Sequence, residues 1–140
     1  MDTSEKYIKM CEKAQEIQQL RSSHRDWEDQ DFCLEIDENG CYDIESSNAE
    51  NFGLFRKSTK DKGVIFLPRQ DQLQEIAKDD LKHIFINPLG TLLNSFNEFI
   101  NKSGYSICVI STLEQLWLAF IMEEKYDKTW NEEVQDWESI

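Results

Sequence analysis

An α+β domain is the fold class this sequence predicts, and three features predict it. Seven consecutive apolar residues, 116–122, sit inside a longer helix-forming stretch. A hairpin pattern, DFCLEID-ENG-CYDIE, precedes them, and a short apolar run, GVIFL at 63–67, lies between the two. Amphipathic helical periodicity fills much of the remainder. Together these give a small antiparallel or mixed sheet packed with three to four helices around one central apolar helix.

The first helix is read over residues 4–20, where Tyr7, Ile8, Cys11, Ala14, Ile17 and Leu20 form one stripe and Thr3 or Ser4 can cap it. The hairpin at 30–46 admits two registers. A two-residue Asn39-Gly40 turn would set Leu34 and Ile36 against Glu45 and Asp43. A three-residue loop from Glu38 to Gly40, with Gly40 left-handed, pairs Ile36 with Tyr42 and Leu34 with Ile44. Apolar then meets apolar, so the longer loop is preferred. That register sets Cys33 opposite Glu45 and Cys41 opposite Asp37, too far apart for a disulfide. It also crowds Glu35, Asp37, Asp43 and Glu45 on one face, which costs stability.

Residues 47–62 read as a polar loop from which Phe52, Leu54 and Phe55 dip into the core. A buried strand follows at 63–67, and Pro68 stands as the first residue of a helix with Leu73, Ile76 and Ala77 inward. Residues 79–86 either continue that helix or break from it. Asn87-Pro88 opens the next helix, whose stripe is Leu89, Leu92, Leu93, Phe96, Phe99 and Ile100. A strand at 105–110 leads into the central helix, which Ser111 and Glu114 open as a capping box. Trp130, Val134 and Trp137, spaced by four and three, then mark a short acidic C-terminal helix. The reading is thus one domain, 1–140, with a helical half at 68–138.

Composition narrows the function classes. An apolar fraction of 39% with only 5 Gly and 2 Pro argues against disorder. Seven apolar residues fall far short of the roughly 18–20 a bilayer span needs, so no membrane association is expected. The stretch MDTSEKYIKM has no apolar signal region, which implies a cytoplasmic protein. None of the 4 cysteines lies in a C-x-x-C, and His24 and His83 are far apart, so reduced thiols and no zinc are expected. D-E-N-G lacks the spacing and closing Glu of a calcium loop, and no cofactor or metal is expected.

Charge is the strongest bulk signal. The net value of −13 disfavours direct nucleic-acid binding. Residues 26–50 hold ten Asp and Glu with no Lys or Arg, a block of −10. Residues 51–69 reverse the sign, with Arg56, Lys57, Lys60, Lys62 and Arg69 against Asp61, for +4. A solvated face accounts for such a block. So does a docking face for a basic host or phage protein, formed by Glu35, Asp37, Glu38, Asp43 and Glu45, since crowded like charges otherwise only destabilise.

No G-x-S-x-G, P-loop, G-x-G-x-x-G or H-E-x-x-H is present, and no catalytic residue is assigned. A carboxylate–metal enzyme of nucleic-acid metabolism is the alternative class, although 28 acidic residues let such a set be picked anywhere. One polar cluster stands out: Arg69, Gln70, Asp71 and Gln72 at a strand-to-helix junction, with Gln115. Its simpler explanation is helix capping. Trp117 reads as core; Trp27, Trp130 and Trp137 either anchor a partner or close the rim of a small core.

The segments FLPRQDQLQ at 66–74, EQLWLAF at 114–120 and MCEKA at 10–14 resemble a family of small uncharacterised proteins encoded by phages and prophages of Gram-positive bacteria. The resemblance implies a phage origin. It transfers no catalytic residue, because that family carries no assigned activity. The expected function is a small accessory protein that binds another protein.

Overall fold

The computed structural model describes residues 1–23, 32–36, 42–46, 64–79, 87–102 and 110–140. For 21–23, 32–36, 42–46, 64 and 79 it describes the backbone alone. In chain order the elements are α1 (Glu5–Lys13), α2 (Gln15–Ser23), β1 (Phe32–Ile36), β2 (Tyr42–Ser46), β3 (Val64–Leu67), α3 (Gln70–Asp79), α4 (Pro88–Lys102), α5 (Leu113–Tyr126), β4 (Lys128–Asn131) and β5 (Asp136–Ser139). The architecture is α+β, as predicted, and the chain divides into two compact units: Cys11–Pro68, and Met1–Met10 with Arg69–Ile140.

In the unit Cys11–Pro68, a three-stranded antiparallel sheet has the order β2-β1-β3. The hairpin register is the one that apolar pairing selects, with Leu34 opposite Ile44 and Ile36 opposite Tyr42. β3 adds Phe66 opposite Cys33 and Ile65 opposite Leu34. A slip by one residue would have put carboxylates on the apolar face, which is why the pattern fixes the register. The turn at 37–41 and the predicted polar loop at 47–62 lie outside the described residues.

The long first helix is corrected to two. Its apolar stripe is buried as expected, with Tyr7, Cys11, Ala14 and Ile17 fully enclosed, but the helix breaks at Ala14. There the Ala14 N–H turns back to the Cys11 carbonyl at 3.2 Å. The Gln18 side chain donates to the same oxygen at 3.0 Å, so the carbonyl that would continue α1 is already taken. The apolar spacing stays in phase across the break, and periodicity therefore gives no sign of it.

The same Gln18 amide seals the sheet. Its Oε1 accepts the Phe66 N–H at 2.8 Å and its Nε2 donates to the Phe66 carbonyl at 3.0 Å. A glutamine thus stands where the next strand would, and the outer edge of β3 has its hydrogen bonds met at Phe66.

In the other unit, α5 is the central helix. Trp117, Leu118, Ala119, Phe120, Ile121 and Met122 are all buried, consecutive around the full turn of the helix. Phe96 of α4 stacks flat on Trp117 at 3.8 Å, and Phe120 meets Phe96 and Phe99 edge-on, each at 5.4 Å. These aromatic contacts lock α4 against α5. Lys125 of α5 donates to the Ile76 carbonyl of α3 at 3.2 Å, placing a cation at that helix's C-terminal end. The stripe on α4 is only half used: Leu92 and Phe99 are buried, whereas Leu89, Leu93 and Ile100 are exposed.

Two helix starts move by a residue or two. Thr112, not Ser111, caps α5, accepting the Gln115 N–H at 3.2 Å. Pro68 precedes α3 rather than opening it; Arg69 supplies the first carbonyl, accepting from Leu73.

The C-terminal segment is a strand pair, not a helix. β4 and β5 are antiparallel with Trp130 opposite Trp137, their rings edge-on at 5.2 Å. Val134, read at helical spacing with the two tryptophans, is 59% exposed in the connecting turn. The Asn131 side chain accepts the Glu133 N–H at 2.9 Å and starts that turn. Trp137 donates its indole N–H to the Met10 carbonyl at 3.0 Å, and Lys6 pairs with Glu132 at 2.6 Å, which fixes the hairpin on the first turns of α1.

Candidate functional site

Three of the five docking-face carboxylates fall on described strands. Glu35 lies directly opposite Asp43, and Glu45 lies opposite Cys33, one same-face step along. Strand alternation places Cys33, Glu35, Asp43 and Glu45 on one face of the sheet, and Phe32, Leu34, Ile36, Tyr42 and Ile44 on the other. Like charges at directly opposed positions raise the free energy of the folded strand pair. Asp37 and Glu38 lie outside the described residues, as do His24, His83, Trp27, Cys41, Cys108 and the basic residues at 56–62.

The polar cluster separates into two groups. At the start of α3, Arg69 donates from Nε and one terminal nitrogen to the two Asp71 oxygens, each at 3.0 Å. Gln72 reaches back to accept the Arg69 N–H at 2.9 Å, the third-position half of a capping box. The Arg69 hydrogen bonds, ahead of the counteracting burial, hold the Asp71 carboxyl below its ordinary range. These bonds all serve the helix start.

Gln115 belongs instead to a buried network that the sequence did not reveal. Its Nε2 donates to Asp2 Oδ2 at 2.8 Å and lies 3.2 Å from the Ser4 hydroxyl, while its Oε1 accepts the Ser111 N–H at 3.2 Å. Asp2 takes two more donors, the Thr112 hydroxyl at 2.6 Å and the Ser4 N–H at 2.8 Å. Burial pushes the Asp2 carboxyl up, but the Thr112, Ser4 and Gln115 donors outweigh it and hold the acid below its ordinary value. A carboxylate so occupied has little basicity left for proton transfer, so the network ties the segment before α1 to the start of α5. The one signal in the sequence was Thr112-x-x-Gln115, a cap one residue past the expected one.

A cavity of about 120 Å³ opens where α3, α4 and α5 meet. Leu92, Phe120 and Ile121 line it from the buried side, with Ser95, Glu124 and Lys125 toward solvent. On α5, burial and the neighbouring Glu124 raise the Glu123 carboxyl, and Lys102 draws it the other way. Among the described residues no group of three or more His, Cys, Asp or Glu converges as a metal ion requires. Among those residues, too, no helix is long and apolar enough to cross a membrane. Trp117, Trp130 and Trp137 are buried, at 2%, 5% and 8% exposure, so each is a packing residue.

No protein-family model, no curated protein and no solved structure matches this chain.

Proposed function

We propose that this chain is a cytoplasmic accessory protein, of the kind phages and prophages encode, that acts by docking its acidic β1–β2 hairpin on a basic protein partner. The phage assignment draws on the resemblance of residues 10–14, 66–74 and 114–120. The docking reading has its own support, in the pairing of Glu35 with Asp43 on the sheet face that also carries Glu45. That juxtaposition opposes folding, and it sits in a block of −10 with no compensating base, within a chain of net charge −13. A face whose task is solubility alone intersperses the two signs. A face that meets cations gains from crowding, because each partner charge then interacts with several carboxylates. Association is steered at long range and weakens as salt rises, with a screening length of about 10 Å at 0.1 M ionic strength.

The test is a three-fold neutralisation, Glu35→Gln, Asp43→Asn and Glu45→Gln. Proteins retained from host lysate are compared with those retained by the unchanged chain across a salt series. The expected result is loss of the basic partners at low salt, with the variant folded by circular dichroism. Retention of every partner at an unchanged salt dependence defeats the reading.

A further inference from the structure

We infer that the partner joins as an extra strand: the outer edge of β2 receives an extended segment in which basic residues alternate with apolar ones. The inference rests on the basic-partner reading above and specifies how the contact is made. Among the described residues, β2 is the terminal strand of the sheet β2-β1-β3. The opposite terminal strand, β3, is sealed by Gln18, whose amide meets both backbone groups of Phe66 from outside the sheet.

That contact fixes the hydrogen-bond phase of every strand. In an antiparallel pair the N–H and C=O of one residue point to the same side, and successive residues point to opposite sides. Phe66 turns its groups away from β1, so its opposite number Cys33 turns its own toward β2, where Glu45 meets them. Glu45 and Asp43 therefore face inward along β2. Tyr42, Ile44 and Ser46 present their N–H and C=O groups at the outer edge. A strand added there gains main-chain hydrogen bonds at those three residues, the mode by which extended peptides extend a sheet.

The side-chain pattern of the occupant follows from the same register. Residues of the added strand opposite Asp43 and Glu45 lie on the carboxylate face, where Glu35 is also placed, and lysine or arginine complements that charge. The residue opposite Ile44 lies on the face of Tyr42, Leu34 and Ile36, where an apolar side chain fits. An incoming basic–apolar–basic triplet thus matches Asp43-Ile44-Glu45 in both hydrogen bonding and charge. Without a partner the two carboxylates on β2 keep other acidic or apolar edges away, which guards an open strand against unspecific pairing.

The experiment titrates the full chain with three synthetic peptides and reads amide hydrogen exchange by NMR. One peptide alternates lysine and valine. The second has the same composition with lysines and valines in separate blocks. The third is the alternating peptide methylated at the backbone nitrogens that would face β2. The alternating peptide is expected to slow exchange at the amides of Tyr42, Ile44 and Ser46 and to leave those of Asp43 and Glu45 unchanged. The methylated peptide, which forfeits several main-chain hydrogen bonds, should bind at least about tenfold more weakly. Equal binding of all three, with no protection at those amides, overturns strand addition and leaves the acidic docking face standing. Binding of none of them overturns both. Slow exchange at Tyr42, Ile44 and Ser46 in the free chain overturns strand addition as well, since the edge would then already be occupied.

Discussion

Asp2 shows how much a single side chain can organise here. Its carboxylate accepts from a backbone N–H, a hydroxyl and an amide, and two of those donors lie more than a hundred positions away. Asp2→Asn keeps the volume but replaces an acceptor oxygen with a donor, so one buried group loses its partner. The expected cost is about 1–3 kcal/mol near neutral pH. Because the folded acid titrates below its ordinary value, the wild-type advantage is fully present above that value and is lost as pH falls through the lower folded one. Urea midpoints of the two proteins should therefore converge in acid. A gap that persists undiminished at low pH would show that the charged form is not what the network holds. Beyond the Thr112-x-x-Gln115 cap, none of this is legible in the sequence, for a physical reason. Helix and strand periods report neighbours within a few residues, whereas the partners of Asp2 are set by how the chain folds back. Gln115 did stand out as a polar residue in an apolar helix, but proximity in chemistry assigned it to Arg69 instead of Asp2.

Whole elements were legible where burial imposes an alternation that only one arrangement satisfies. The β1–β2 register is such a case, since only one alignment sets Leu34 and Ile36 against apolar partners. The unbroken buried run 117–122 of α5, apolar on every side of the helix, is another. The C-terminal hairpin departs from the helix that its spacing predicts because Trp130 and Trp137, seven apart, satisfy two geometries: two turns of helix, or opposite positions across a four-residue turn. The tiebreaker was local. Each tryptophan is flanked by polar residues in KTWN and DWES, a strand's alternation, and Asn131 opens a turn at the right place. That turn also carries a testable strain, because Gln135 sits at φ 52°, left-handed territory that a side chain disfavours. Gln135→Gly should raise stability by up to about 1 kcal/mol, the relief being partly offset by the greater freedom of the unfolded glycine. Gln135→Val should lower it. Thermal melts of the pair decide; a destabilised glycine variant means the glutamine side chain makes a contact that outweighs its backbone strain.

For the molecule as a whole, the question is whether its charge helps or hinders folding. At −13 the compact state concentrates repulsion that the unfolded chain disperses. The surface ion pairs Lys78–Glu75 and Lys102–Glu98 recover little of it, being short-range and exposed. Sodium chloride should therefore raise the melting temperature, by about 2–4 °C for each kcal/mol of repulsion screened. A fall in Tm with added salt would mean that pairs such as Lys6–Glu132 outweigh the net repulsion. The sign of this effect was foreseeable from composition. The place where repulsion concentrates was foreseeable only through the register, because Glu35 and Asp43 are neighbours across the hairpin and not along the chain.

The glutamine seal on β3 also governs stoichiometry. Sheets that grow by edge addition polymerise when both edges accept strands, each newcomer exposing a fresh acceptor. Here, among the described residues, the β3 end is met at Phe66 by a side chain belonging to the protomer itself, which disfavours growth from that edge. A partner strand laid on β2 ends the reaction at one-to-one, and two copies meeting β2 to β2 would close as a pair with no growing end. If β2 takes a partner strand as proposed, Gln18 would serve as a chain terminator on the other edge, at Phe66.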